Sequence, residues 1–279
     1  MEKILISGVR KVFRIKAGGD AARGDEPGEL TALDGVDLSV RAGEFVTLVG
    51  PSGSGKSVLL DIVGGLASAS SGRVSIDGVE VHEPARNSAY VFQQYALFPW
   101  RSAIGNVEYP LEVRGVGKAE RREKARQLLA LFGLSGFAER YPNQLSGGMQ
   151  QRVAIARALA SDPEVLLMDE PFAALDAQTR EILQGELLRI WEEIRTTVLF
   201  VTHGIDEAVF LADRVVVMTA RPGVVKKIID VELPRPRLDH IRSSAEFNAC
   251  RREVWEALSD EVKKAQRDQE YVLETESAS

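Results

Sequence analysis

The densest chemistry in the chain lies at Gly50-Pro51-Ser52-Gly53-Ser54-Gly55-Lys56-Ser57, which fits G-x-x-x-x-G-K-S. Its glycines let the backbone turn tightly enough for several N–H groups to point inward together. A helix beginning at Lys56 adds the partial positive charge of its N-terminus. Such a concavity takes phosphate oxygens. Lys56 is placed to reach the β- and γ-phosphates of a nucleoside triphosphate, and the Ser57 hydroxyl to hold Mg2+. The plainer alternative is a Gly/Ser turn carrying an incidental lysine. The flanks speak against it, because Gly43 to Val49 reads as a strand running into the turn and a helix pattern follows. Alone, the motif says only that a nucleoside triphosphate binds.

Two further groups have the right types for phosphate chemistry. Val165-Leu166-Leu167-Met168 is an apolar strand that ends in Asp169 and Glu170. Acids at the carboxyl end of such a strand face a nucleotide crevice. Asp169 would bind Mg2+ through water, and Glu170 would polarise the attacking water as general base. The alternative is a strand-end turn with two solvated acids. The second group is Leu145-Ser146-Gly147-Gly148-Met149-Gln150-Gln151-Arg152, which precedes a helix. Ser146 suits the N-cap, and the glycines leave the first N–H groups open to an anion. By itself this is either a second phosphate site or a capped helix.

The elements that must position these groups alternate. Short strands are expected at Val74 to Ile76 and Ala89 to Phe92, and buried strands at Val165 to Met168, Val198 to Val201 and Val215 to Met218. Helices are expected at Lys118 to Phe132, Gln150 to Ala160, Thr179 to Arg195 and Phe247 to Arg267, the last followed by a polar tail. In the first of these, Ala125, Leu128, Leu129 and Phe132 share one side. Its mixed charge run, Lys118 to Arg126, reads as a solvated face. Strands alternating with helices imply an α/β fold with a mostly parallel sheet. The stretch Ala17 to Gly28, rich in Gly, Ala and Asp, reads as a surface loop between two strands.

Bulk properties narrow the setting. The net charge of −6 argues against nucleic acid as the main partner, since phosphate backbones select basic surfaces. No apolar run approaches the roughly 20 residues of a membrane span, and Met1 to Val12 lacks the apolar core of a signal peptide. The single cysteine, Cys250, excludes an internal disulfide and fits a reducing compartment. A chain that stays in the cytosol and reaches any membrane through a partner is the expectation. His82 and His240 match no pattern and read as structural.

Phosphate loop, Ser-Gly-Gly helix start and strand-end acids, in that order, resemble the ATP-binding cassette (ABC) family from about Ile4 to Pro236. Leu145 to Gln150 looks like its LSGGQ signature, with Met149 where glutamine is usual. The resemblance implies a P-loop NTPase (RecA-like) core with an N-terminal antiparallel β subdomain and an inserted helical subdomain at about residues 95–160. The ATP-binding domain would span residues 1–236, and a C-terminal helical tail residues 237–279. It further implies roles for single residues. Gln93 resembles the glutamine that reaches Mg2+ and the attacking water. Asp176 resembles the aspartate at the dimer seam, compatible with its reading as a helix N-cap. His203 resembles the histidine that contacts the γ-phosphate, and Phe13 the aromatic that stacks on adenine. Val58 departs from the family's threonine, whose hydroxyl touches the α-phosphate; losing that contact costs about 1 kcal/mol.

In the family each site is shared, with the phosphate loop from one subunit and Ser146 to Gly148 from the other, so the implied working form is a two-fold dimer. Tyr95-Ala96-Leu97-Phe98-Pro99-Trp100 resembles the region that receives a helix of the membrane permease, and is otherwise core. Phe98-Pro99-Trp100, Ala220-Arg221-Pro222-Gly223 and Leu233-Pro234-Arg235-Pro236-Arg237 resemble the nitrate/sulfonate/taurine import group. The implied function is an ATPase subunit, using ATP and Mg2+, that energises a permease fed by a solute-binding protein at the cytoplasmic face of the inner membrane. One alternative is a non-transport ABC ATPase acting on nucleic acid or ribosomes. Such proteins usually carry two cassettes or a long coiled-coil insertion, and this chain has neither. A P-loop small-molecule kinase would leave Leu145 to Gln150 unexplained.

Overall fold

The computed structural model describes the backbone of residues 1–14 and 28–277, with side chains as far as residue 267. The elements run β1 (Glu2–Arg14), β2 (Glu29–Arg41), β3 (Phe45–Val49), α1 (Lys56–Val63), β4 (Ser71–Ile76), β5 (Val79–Glu80), β6 (Ser88–Val91), α2 (Ala103–Val113), α3 (Lys118–Leu131), α4 (Gly147–Leu159), β7 (Val165–Asp169), α5 (Ala177–Ile194), β8 (Thr197–Val201), α6 (Ile205–Leu211), β9 (Arg214–Met218), β10 (Val225–Asp230) and α7 (Ala245–Ser277). Residues 15–27, most of the expected surface loop, lie outside the described residues, between β1 and β2. Contacts divide the chain into two units. One comprises Met1–Pro84, Phe200–Arg235 and His240–Ser279, the other Ala85–Leu199 and Pro236–Asp239.

In the first unit, β2, β1, β4 and β5 form an antiparallel sheet in that order. Alternate residues pair across it with buried side chains: Ile4 opposite Val40, Ile6 opposite Leu38, Val9 opposite Val36. β3 runs parallel to β9, and β10 adds antiparallel on the far side of β9. All five residues of β3 are buried, as in a strand covered on both faces. Its start is fixed by charge. Glu44, buried, accepts from the Arg41 amide at 2.7 Å and from Arg214 Nη1 at 3.3 Å. Asp213 accepts the Phe45 amide at 2.9 Å and Arg235 Nη2 at 2.7 Å. Of these acids Glu44, 5% exposed, is the costlier to leave without its partner. The helix expected to stop at Arg267 continues as α7 to Ser277, because residues 268–277 hold no glycine or proline to break it.

In the second unit β6 and β7 pair in parallel. α4 and α5 begin earlier than their apolar periodicity suggests, at Gly147 and Ala177, because the caps Ser146 and Asp176 set their starts. The sequence reading missed α2, which Ser102 caps and which contains Pro110. β8 divides between the units. The Thr197 amide donates to Glu164 O at 3.0 Å in the second unit, and the Thr202 amide, just past the strand, donates to Leu48 O at 3.1 Å in the first. Trp191, fully buried, ties α5 to the loop before β8 through Nε1 to Thr196 O at 2.7 Å.

Candidate nucleotide site

The phosphate loop follows β3 directly and ends at Gly55, the N-cap of α1. Gly53 (φ 77°) and Gly55 (φ 82°) are in the left-handed region, which a β-carbon would strain. Gly55 is also pressed from below: a Cβ there would stand 2.6 Å from Leu33 Cδ2 and 2.9 Å from Ala32 O. Lys56 is 4% exposed. Its ammonium donates to Gly50 O at 2.9 Å, Pro51 O at 3.0 Å and Ser54 Oγ at 3.3 Å. The one full positive charge of the loop is thus held inside its curve, where phosphate oxygens would meet it. Ser57 and Val58 are half-buried on the first turn of α1.

The same unit carries His203 and Phe13. His203 is exposed and follows Thr202, whose amide is bonded to β3, so it stands at the strand end from which the phosphate loop leaves. Its turn is pinned by Thr202 Oγ1, which bonds the Glu207 carboxylate and accepts the Gly204 amide at 2.8 Å. Phe13 is 40% exposed, with the Lys11 ammonium 5.1 Å from its ring centre. It lies two residues along β1 from Lys11, the register partner of Leu33 under Gly55. That exposure suits stacking on a flat ligand more than a place in the core.

In the second unit the parallel register aligns two expected site residues. Val91 pairs with Met168, so Gln93 and Glu170, each two residues further on, leave the same end of the β6–β7 pair. Asp169 closes β7 and is half-buried. Glu170 has φ 44°, a strained backbone for a residue with a Cβ and of a kind that clusters at functional sites. Asp176 caps α5, accepting the Thr179 amide at 3.0 Å. That bond, with a second to the Thr179 hydroxyl, holds its carboxyl below the usual range. Arg180 grips the turn between these acids, with Nε to Phe172 O at 3.2 Å and Nη2 to Leu175 O at 2.8 Å.

Ser146 is exposed and caps α4, accepting the Met149 amide at 3.3 Å. The glycines after it are closely approached by side chains. A Cβ on Gly147 would stand 2.8 Å from the Tyr95 hydroxyl and 3.7 Å from Leu175 Cδ2, and one on Gly148 2.7 Å from Thr179 Cγ2. The Ser-Gly-Gly start, the turn before Asp176 and the segment after Gln93 therefore meet. Residues 95–100 are held from two helices. Arg157 donates to Ala96 O at 2.7 Å and Tyr95 O at 3.1 Å, and Ala96 has φ 47°. Asn106, fully buried, accepts the Phe98 amide at 2.8 Å and donates to the carbonyls of Phe98, Arg101 and Ser102. Trp100 is 71% exposed, which removes its core reading.

The model of the ABC transporter family matches residues 33–173. The chain is 50% identical over 263 residues to the uncharacterized ABC transporter ATP-binding protein MJ0412 of Methanocaldococcus jannaschii, covering 94% of each. The chain belongs to the ABC transporter family. It is 47% identical over 207 residues to the nitrate import ATP-binding protein NrtD of Synechocystis (74% of this chain, 78% of that one). It is 43% identical over 229 residues to the aliphatic sulfonates import ATP-binding protein SsuB of Bacillus cereus (82% and 89%). The dimeric post-hydrolysis structure of the ATP-binding cassette MJ0796, bound to ADP and Pi, superimposes with a TM-score of 0.71 at 36% identity, over 83% of this chain and 100% of that one. The fold is that of an ABC ATPase, a P-loop NTPase of the α/β class, and the chain is an ATPase that binds ATP.

Within this ABC ATPase the sequence reading missed Asn106, Arg157 and Arg180. Each acts through backbone carbonyls, which no side-chain motif records. The only available signal was indirect: a polar or charged residue set in a helix's apolar stretch, such as Arg157 between Ala156 and Ala158.

Proposed function

We propose that this chain is the ATP-hydrolysing subunit of an importer for a small solute of the nitrate, sulfonate or taurine type. It would work as a two-fold dimer held at the cytoplasmic face of the inner membrane by a separate permease, which a solute-binding protein supplies. The observation that carries the ATPase part is the buried Lys56 ammonium inside a glycine loop at the N-terminus of α1. Dimerisation is supported by the likeness to a dimeric cassette. The solute class is supported by the relatives named for nitrate and aliphatic sulfonates. Membrane attachment through a partner is supported by the relatives named for import; none of the described helices is long and apolar enough to cross a membrane. We read residues 1–236 as the ATP-binding domain, with about 95–160 as its helical subdomain and 237–279 as the tail.

In this reading Gly50 to Ser57 wrap the phosphates, and Lys56 neutralises the β/γ oxygens. Glu170 takes the proton of the attacking water, oriented by Gln93 and His203, and Phe13 stacks on the base. Ser146 to Gly148, with Asp176 beside them, close on the nucleotide of the partner subunit. Ser57, Asp169 and Gln93 offer hydroxyl, carboxylate and amide oxygens, the hard donors Mg2+ accepts. Among the described residues no three His, Cys, Asp or Glu gather as a metal site of their own. When bound, Mg2+ would offset charge on the β- and γ-phosphates. The test is reconstitution with the permease and solute-binding protein, followed by ATPase measurement with nitrate, alkanesulfonates and taurine. Stimulation by none of these solutes would refute the solute class; absence of any ATPase activity would refute the reading altogether.

A further inference from the structure

The C-terminal helix is connected to the phosphate loop through a short chain of contacts, all within the first unit. The connection starts at the turn after β9. A Cβ on Gly223 would stand 2.1 Å from Ser54 O, so the backbone at Gly223 lies directly against the phosphate loop. The same residue is bonded into β2, donating to Ala32 O at 2.9 Å and accepting the Asp34 amide at 3.1 Å. Ala32 and Leu33 are also what Gly55 rests on. The loop is thus seated on two backbone supports, β2 under Gly55 and Gly223 against Ser54. One residue pair earlier, Arg221 Nη2 lies 3.4 Å from the Cβ position of Gly53.

The turn that carries Gly223 is closed internally by Thr219. Its hydroxyl donates to Pro222 O at 2.7 Å and accepts the Val224 amide at 3.0 Å. From outside, α7 holds it at one point. Glu261 accepts the Ala220 amide at 2.9 Å, and its other oxygen pairs with Lys226 at 2.7 Å, just past the turn on β10. The Glu261 side chain is 12% exposed, so both interactions are largely shielded from water. Shielded, charge-assisted hydrogen bonds to backbone amides are among the stronger ones a side chain makes.

We infer that Glu261 is a positioning residue for the phosphate loop: through the Ala220 amide it fixes the turn on which Gly223 and Arg221 back Ser54 and Gly53. The C-terminal helix thereby sets nucleotide affinity without touching nucleotide. This rests on the reading of Gly50 to Ser57 as the phosphate cradle.

The test uses the full-length chain and equilibrium ATP binding by calorimetry, with thermal unfolding and hydrogen exchange of the 219–224 amides alongside. Glu261→Met keeps the side-chain length and helix preference but removes the acceptor. It should weaken ATP binding by about 3–10-fold, the scale of one lost hydrogen bond, and speed exchange at 219–224. Glu261→Gln keeps an acceptor for the Ala220 amide and should bind within about twofold of wild type by the same reasoning. Lys226→Ala, which removes only the ion pair, should behave like Glu261→Gln. Wild-type affinity in Glu261→Met, with faster exchange at 219–224, overturns the inference. So does a Gln variant as weak as the Met variant. If Glu261→Met destabilises the whole chain, Glu261→Ala, a strong helix former too short to reach the Ala220 amide, takes its place with the same expected and overturning outcomes. Lys56→Ala tests the underlying reading separately: undiminished ATP affinity there refutes the cradle itself, whereas its loss beside a silent Glu261→Met refutes only the inference.

Discussion

Trp100→Ala separates a docking surface from a packing role by two measurements of different size. Trp100 is 71% exposed, with its ring 5.6 Å from that of Phe98. About a third of its surface is therefore covered. A fully buried tryptophan removes up to roughly 250 Å2 from water, so a third of that, at about 25 cal/mol per Å2, is worth roughly 2 kcal/mol at most. The isolated subunit should lose only a few degrees of melting temperature, since 1 kcal/mol shifts a domain of this size by about 2–4 °C. A core tryptophan would cost about 3–5 kcal/mol. Binding should respond more strongly. The backbone under Trp100 is fixed by Asn106 and Arg157, so little ordering is left to be lost on association. A preorganised aromatic anchor typically contributes about 2 kcal/mol or more, which is roughly 30-fold in dissociation constant. The assay is titration of the reconstituted permease with wild-type and variant subunit, beside thermal unfolding of each alone. A variant that melts about 10 °C lower yet binds the permease as tightly as wild type would refute the reasoning.

Glu170→Gln should bind ATP but turn it over at a small fraction of the wild-type rate, because the amide cannot take a proton from water; gel filtration with ATP should show a stable dimer, and wild-type turnover would rule Glu170 out as the base. Val58→Thr restores a hydroxyl on the first turn of α1 and should tighten ATP binding by roughly 1 kcal/mol; calorimetry that finds unchanged or weaker binding would mean the packing has adapted to valine. Asn106→Ala takes the side-chain partner from the part-buried Phe98 amide and Arg101 carbonyl, at up to about 1–3 kcal/mol each. It should lower the melting temperature by several degrees and speed hydrogen exchange there, and an unchanged exchange pattern would contradict the role given to Asn106.

Much of the nucleotide site was legible because its chemistry is local. Eight consecutive residues make the phosphate loop, and the structure adds the reason for two of its glycines: positive φ at Gly53 and Gly55. Ser146 and Asp176 were readable as caps, and each caps its helix. The Gln93–Glu170 alignment was not readable, since it depends on the register of two strands far apart in sequence. Nor was α2, whose apolar positions are interrupted by Asn106 and Pro110. Asn106 looks like a loop residue in a linear reading, and its burial makes sense only once the carbonyls of residues 98–102 curl around it.

The same contrast explains why the tail resisted the sequence reading. Its sequence reads only as a charged helix without a motif, and most of the described side chains of α7 are exposed. Three of its acids and bases nonetheless pair outside the helix: Arg251 with Asp206 at 3.6 Å, Glu253 with Lys227 at 2.8 Å and Glu261 with Lys226 at 2.7 Å. The first two are half exposed, and pairs of that kind contribute little. Glu261 differs because it is shielded and also accepts a backbone amide. A surface ion pair can be lost to salt or to a side-chain rotation, whereas Glu261 also accepts the amide of Ala220, which is buried. Glu261 is therefore distinguished by burial and by a main-chain partner, neither of which composition or charge patterning encodes.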